Sequence, residues 1–229
     1  MPLFTAYKPL GVSPLYLIEE LKKKDVWKKE KIAYAGRLDP MAEGLVLLVY
    51  GKDLSSFHEH LKYDKEYEGS ILFGLSTDSY DLLGIPQKRQ VEESIKEKLK
   101  SIKGEFVFPF PPYSSYRVKG KPLFKWSREG KIGEIEIPLK EAHIYSIELG
   151  DVYYRSALEL KEEILWKIEK VKGDFRQEEI KEKWKEILVC GDFPLIDFKI
   201  KCSSGCYMRS VAHHAGGVLF HLKRTSIDF

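Results

Sequence analysis

The stretch AYAGRLDPMAEGLVLLVYG, residues 33 to 51, places an acidic residue, Asp39, in a tight turn just ahead of an apolar run. LVLLVY, from 45 to 50, is short, β-rich and bounded by glycines, the pattern of a strand buried on both faces. An Asp-Pro pair that only closed a loop would need neither Gly36 and Gly44 around it nor an arginine, Arg37, two residues upstream. Taken alone, Asp39 reads first as the cap of a short helix beginning at Pro40. The other reading is an active-site carboxylate at the mouth of a buried sheet.

Working outward, SPLYLIEELKKK has Ser13 as N-cap and Pro14 in the first helical position. Leu17, Ile18 and Leu21 then share one face, which predicts an amphipathic helix. EYEGSILFGL, 66 to 75, reads as a second buried strand. VEESIKEKLKSI spaces Val91, Ile95, Leu99 and Ile102 at helical intervals. Strands do not alternate strictly with helices, so the expected fold class is α+β. From about 155 to 189 the chain is dense in Lys and Glu. There Leu158, Leu165 and Ile168, then Ile180, Trp184, Ile187 and Leu188, are spaced for two helices hinged at Gly173-Asp174. Such a hairpin reads as a solvated element whose charges are its wet face, with a contact surface for a partner as the alternative.

With 229 residues, 43% of them hydrophobic and 13% aromatic, the chain can bury a sizeable core. No apolar run approaches the roughly 18 residues that a membrane helix needs. MPLFTAYKPLG lacks the zones of a signal peptide, and Cys190, Cys202 and Cys206 are an odd set of thiols, so no membrane association and a cytoplasmic location are expected. A net charge of +3 permits a nucleic-acid partner only through a local basic footprint. His58 and His60, and His213 and His214, lack the spacing of a zinc cage and read as surface or helix residues.

Besides Asp39, three places carry candidate chemistry. In KYDKEYEG, Tyr67 opens a strand, and alone reads as a core tyrosine. In KCSSGCYMRSVAHH, a β-like IDFKIKC passes through Ser-Gly into a helix start with Tyr207 and Arg209, where an isolated arginine reads first as a surface charge. PFPPYSSYRVKGKPLFKW interleaves Tyr113 and Tyr116 with Arg117, Lys119, Lys121 and Lys125. Cations alternating with aromatic rings suit phosphate contact and base stacking in RNA, although a proline-rich surface loop looks the same.

In order along the chain, GRLDPMAEGLVLL, KEYEG, PPYSSYRVKGKPLFKWSREGK and CSSGCYMRSVA resemble the blocks of the TruB family of tRNA pseudouridine synthases. YKPLGVSP, with Lys8, Pro9 and Gly11, is similar to that family's first block. LSTDSYDLLG is similar to its threonine-and-aspartate segment, and LKRTSIDF to its closing strand. The resemblance covers nearly all of the chain outside the hairpin. It implies a pseudouridine synthase catalytic fold, a mixed and mainly antiparallel sheet flanked by helices and loops, in one domain over 1–229 with residues 155–189 as an inserted helical hairpin. Many relatives continue into a small RNA-binding PUA domain, which is not expected here because the sequence stops at Phe229.

The resemblance further implies Asp39 as the catalytic aspartate, Tyr67 as the active-site tyrosine and Arg209 as the partner of the aspartate. Tyr207 and Leu38 would line the same pocket, with Lys8, Tyr34, Arg37, Tyr113, Arg117 and Lys119 as further substrate contacts. The implied reaction isomerises a uridine of structured RNA, uridine 55 in the T arm of tRNA, by base flipping without cofactor or metal, in a monomer. Two departures bear on substrate. Tyr34 stands where the family writes histidine and Arg37 where it writes threonine, and Gly-Arg-Leu-Asp resembles the related ribosomal-RNA pseudouridine synthases. The family's glutamine before Pro-Pro is also missing from FVFPFPP. Ribosomal RNA is therefore the alternative substrate, and a catalytically inactive RNA-binding or RNA-folding protein the rival reading.

Overall fold

Val46, Leu47, Leu48 and Val49 are all fully buried in the computed structural model, which describes residues 3–228. Four consecutive buried side chains require cover on both faces of the strand. Val46 and Leu48 enter the main core, while Leu47 and Val49 pack in a smaller cluster with Ala35 and Ile227.

The strands are β1 (Leu3–Lys8), β2 (Ile32–Ala35), β3 (Glu43–Tyr50), β4 (Asp64–Leu72), β5 (Leu75–Thr77), β6 (Pro86–Lys88), β7 (Gly104–Pro109), β8 (Arg117–Val118), β9 (Lys121–Pro122), β10 (Leu139–Ser156), β11 (Asp192–Cys202) and β12 (Val218–Asp228). The α-helices are α1 (Pro14–Lys22), α2 (Phe57–His60), α3 (Ile95–Ser101), α4 (Leu123–Arg128), α5 (Ala157–Glu169), α6 (Gln177–Ile187) and α7 (Met208–His214). One sheet runs β1-β3-β12-β4-β11-β10-β7, with β2 beside β3. Its pairings are antiparallel except for a short parallel contact between β12 and β3. The fold is thus the predicted α+β arrangement.

That parallel contact explains Gly44. It has φ +114° and lies opposite Arg224, and a Cβ there would sit 2.2 Å from the Arg224 carbonyl oxygen. Only glycine lets β3 approach β12 so closely.

Neighbouring strand residues divide between two cores. Ile71, Ile196 and Leu219 face a cluster with Ile18 of α1, Leu99 of α3 and Val211 of α7. Leu72, Leu195 and Phe220 face a second cluster with Leu160, Ile164 and Ile168 of α5 and Ile180 and Trp184 of α6. The hairpin therefore covers the sheet face that α3 and α7 leave open. Apart from the buried Lys167, its charges are a wet face, as read, but its apolar stripe is as deeply buried as any strand.

Several expected boundaries shift. Ser13 caps α1, accepting from Tyr16 N, as predicted. The 66–75 strand ends at Leu72, because Gly74, at φ +87°, turns the chain into β5. α3 begins only at Ile95, leaving Val91 ahead of the helix and exposed. Residues 155 and 156 end β10, and a Ser156–Glu159 capping box starts α5. Leu158 consequently points to solvent, and the buried stripe is Leu160, Ile164 and Ile168. The hinge at Gly173, φ +99°, stands as predicted. His58 and His60 lie in α2, and His213 and His214 in α7.

Trp184 is fully buried and donates from Nε1 to Leu82 O at 3.1 Å, tying α6 to the loop after β5. Trp184→Ala should cost about 3–5 kcal/mol through the cavity it leaves, measured as a fall in the denaturant midpoint. A change below about 1 kcal/mol would mean the hairpin is not part of the cooperative core.

Candidate active site

No helix begins at Pro40. Residues 39 to 42 form a turn closed by Ala42 N donating to Asp39 O at 3.0 Å, so Asp39 is not a helix cap. The turn is anchored from outside. Gly11 N donates to Pro40 O at 2.8 Å, and Lys8 Nζ donates to the carbonyls of Ala42 (2.6 Å), Val12 (2.8 Å) and Pro9 (3.0 Å). Lys8 is fully buried, and burial pushes its ammonium down to about 8 against the opposing pull of Asp39 and Glu43. The expectation that Lys8 contacts substrate is therefore corrected. With its three donors spent on backbone carbonyls, it clamps the β1–α1 loop to the Asp39 turn and lies outside the cleft.

The Asp39 carboxylate has a different partner. Arg209, from the first turn of α7, donates through Nε to Asp39 Oδ2 at 2.7 Å. Its side chain is only 5% exposed, which overturns the surface-charge reading. Nη1 donates to the carbonyls of Ser79 (3.1 Å) and Tyr113 (3.4 Å). Asp81 Oδ2 lies 3.8 Å from Nε on the inner side. Burial disfavours the guanidinium charge, but Asp39 and Asp81 together outweigh it and raise the group further. Asp81 is itself buried and accepts from Ser79 Oγ at 2.6 Å and Leu83 N at 3.0 Å. Burial raises its carboxyl, with Arg209 opposing. Of the two carboxylates on the arginine, Asp39 is the one that faces outward, its side chain 39% exposed.

This array opens into a cleft of ≈ 1090 Å3. Tyr34, Arg37, Leu38, Tyr67, Tyr113, Arg117 and Tyr207 all line it, so the fold gathers them with Asp39 and Arg209 as expected. Lys119 does not join them. It sits at φ +49° in the tight turn between β8 and β9, exposed and outside the cleft. The proline-rich segment is packed rather than loose: Phe110 stacks on Tyr116 at 3.9 Å and meets Tyr207 edge-on at 5.4 Å. Tyr67 is both a core tyrosine and a cleft residue, and burial pushes its phenol up to about 12 with Arg224 opposing. Beside the cleft, Arg37, Arg117, Lys121 and Lys125 border a shallower groove of ≈ 500 Å3.

Sequence reasoning missed four contributors. Asp81 stands in the LSTDSYDLLG segment, Lys65 two residues before Tyr67, and Arg224 in LKRTSIDF. Arg176, from the hairpin connection, lines the far end of the cleft, lies 4.6 Å over the Tyr113 ring and donates to Asp78 Oδ2 at 3.1 Å. Of the hairpin lysines, Lys167 is buried against Glu163 and Phe220 O and cannot meet a partner.

With this geometry the comparisons with known proteins agree. Residues 24–175 match the model of the TruB family pseudouridylate synthase (N terminal domain). The chain belongs to that family. The matched span takes in α5, so the likeness reaches further into the hairpin than the motif blocks do. The chain is 32% identical over 211 residues to tRNA pseudouridine synthase B of Caldicellulosiruptor saccharolyticus, covering 90% of this chain and 58% of the relative. It is 29% identical to the enzyme of the same name from Opitutus terrae, covering 96% and 78%. The chain thus spans about three fifths of the length of the first of these relatives. Among solved structures, a Cbf5–Nop10–Gar1 complex shares the fold, with TM-score 0.56, 17% identity, and coverage of 98% of this chain and 48% of the other.

Next to Asp81, Tyr80 has φ +68° and stacks on His213 at 3.7 Å. Burial, with Arg89 and His214 adding, pushes His213 from 6.5 down to about 4. The folded chain therefore holds this proton less tightly than the unfolded one. The stabilisation tied to the neutral ring is complete above pH 6.5 and is lost as pH falls from there through about 4. His213→Phe keeps a ring on Tyr80 and removes the titration, so its melting temperature should fall less steeply across that window. Superimposable slopes for the two proteins would refute this.

Proposed function

We propose that the chain is an RNA pseudouridine synthase that isomerises uridine 55 in the T arm of tRNA. The observation that carries the reading is the outward-facing Asp39 carboxylate held at 2.7 Å by a buried arginine inside the cleft. Isomerisation breaks the N-glycosidic bond, turns the freed uracil and rejoins it through C5. A charged carboxylate serves this by attacking C1′ or by taking the C2′ proton. Arg209 keeps the Asp39 carboxylate oriented when RNA displaces water, and Asp81 holds Arg209 from behind.

The target base must leave its stack to reach Asp39. Tyr67 would stack on it, with Leu38, Tyr34 and Tyr207 closing the pocket. A phenol pushed up to about 12 is protonated at neutral pH, which suits stacking and hydrogen-bond donation better than removal of the C5 proton. Arg37 and Arg117, on the rim between cleft and groove, suit the flanking phosphates, and Arg176 and Tyr113 the far end. The thiols of Cys202 and Cys206, both free, suit a reducing compartment such as the cytoplasm. The name of the relatives supports tRNA as substrate. The exposed Arg37, in the Gly-Arg-Leu-Asp form, keeps ribosomal RNA as the second reading.

Asp39→Asn should retain fold and RNA binding and abolish pseudouridine formation, because an amide is neither nucleophile nor base. Arg209→Lys should lose about 10²-fold in rate, since one ammonium cannot replace a fork on Asp39, Ser79 and Tyr113. Pseudouridine mapping of total RNA with and without the protein checks both and names the site. Near-normal turnover by Asp39→Asn would end the proposal, and a new pseudouridine confined to ribosomal RNA would replace tRNA by the second reading.

A further inference from the structure

Arg224 is 1% exposed, one of the largest fully buried side chains in the molecule. On β12 it lies opposite both Tyr67 of β4 and Gly44 of β3. Nε donates to Leu45 O at 2.6 Å and Nη1 to Arg37 O at 3.3 Å. Nη2 is buried with no acceptor in hydrogen-bond geometry, although the Tyr67 hydroxyl lies close enough to the guanidinium for Arg224 to oppose the rise that burial imposes on the phenol. An unused donor on a buried permanent cation is costly unless a ligand completes it.

A second cation stands beside it. Lys65, two residues before Tyr67 and on the same face of β4, is 5% exposed and donates to the carbonyls of Tyr63 and Leu61. Among the described residues neither cation forms an ion pair. Both line the cleft with Gly36, Tyr67, Leu222 and Cys206. They are deeper than the partly exposed Asp39, so this end of the cleft is an electropositive recess beyond the carboxylate.

We propose that Arg224 Nη2, backed by Lys65, hydrogen-bonds a ring carbonyl oxygen of the target uracil and holds the negative charge that the ring carries when it is detached. The inference rests on the pseudouridine synthase reading above. When C1′–N1 breaks, the bonding pair leaves with N1 and spreads to O2 and O4. The ribose meanwhile bonds to Asp39 through C1′, or loses the proton on C2′ to it as a C1′–C2′ double bond forms. When C5 joins C1′ the pair returns, Asp39 is released or gives the proton back, and the C5 proton leaves as N1 gains one. No oxidant or other co-reactant enters. Fixed donors aimed at that developing charge, in a site closed to water, are worth far more than they would be in solvent. A backbone phosphate is the rival acceptor, since the fork suits it as well. Depth favours the base, because an extruded nucleotide leads with its base and its phosphates stay at the sugar.

The test is a cycle of variants and substrates. Wild type, Arg224→Lys and Lys65→Met are assayed by tritium release on RNA labelled at C5 of the target. Target uridine is compared with 2-thiouridine, 4-thiouridine and a uridine with a methylphosphonate on its 5′ side. Sulfur accepts hydrogen bonds weakly, so wild type should lose about 10- to 100-fold in kcat/KM on one of the thio substrates. Arg224→Lys, whose one ammonium is taken up by the Leu45 and Arg37 carbonyls, should be slower on uridine and nearly indifferent to that sulfur. Lys65→Met should show the same coupling more weakly, and decides the matter if thermal melts reveal that Arg224→Lys does not fold. Penalties that simply multiply at both sulfur positions overturn the inference, and so does coupling confined to the methylphosphonate. In either case tritium release by wild type leaves the function standing; no release by wild type would remove both.

Discussion

The pairing of Arg209 with Asp39 closes a separation of 170 residues, and the cleft is organised around it. A guanidinium that is 5% exposed cannot stand alone. Without carboxylates around it, such a side chain would be an uncompensated buried charge. The fold answers with Asp39, Asp81 and two carbonyls placed around a single side chain. They come from three separate parts of the chain, the Asp39 turn, the segment holding Ser79 and Asp81, and the loop at Tyr113, so the sheet and its loops must be right before the arginine can be buried at all.

The two carboxylates on that arginine differ by environment. Asp81 is sunk among Ser79 Oγ and the Leu83 amide, and serves the arginine. Asp39 sits on a turn that Lys8 and Gly11 hold in place from outside, which leaves part of its carboxylate open to the cleft. Nothing in the residue type distinguishes them; their depth does.

Buried cations recur through the molecule, in different uses. Lys8 spends its donors on carbonyls and fixes a turn. Lys167 spends its charge on Glu163 and joins α5 to β12. Arg209 is matched by carboxylates. Arg224 alone among these keeps a buried donor unused.

The sequence by itself determined much of the local structure: the Ser13 cap, the doubly buried strand at 45–50, the two hairpin helices with their glycine hinge, and, through the order of its motif blocks, the residues that gather in the cleft. These are written in short-range patterns, because period, caps and turn residues act within a few positions. Only the tertiary structure decided what each polar side chain faces. It turned Lys8 inward, left Lys119 outside, buried Arg209, brought in Asp81 and Arg176, and put Leu158 rather than Leu160 in solvent. Burial and pairing depend on which strands become neighbours, and that is fixed by contacts between residues far apart in the chain, such as Gly44 against Arg224, which no local window contains.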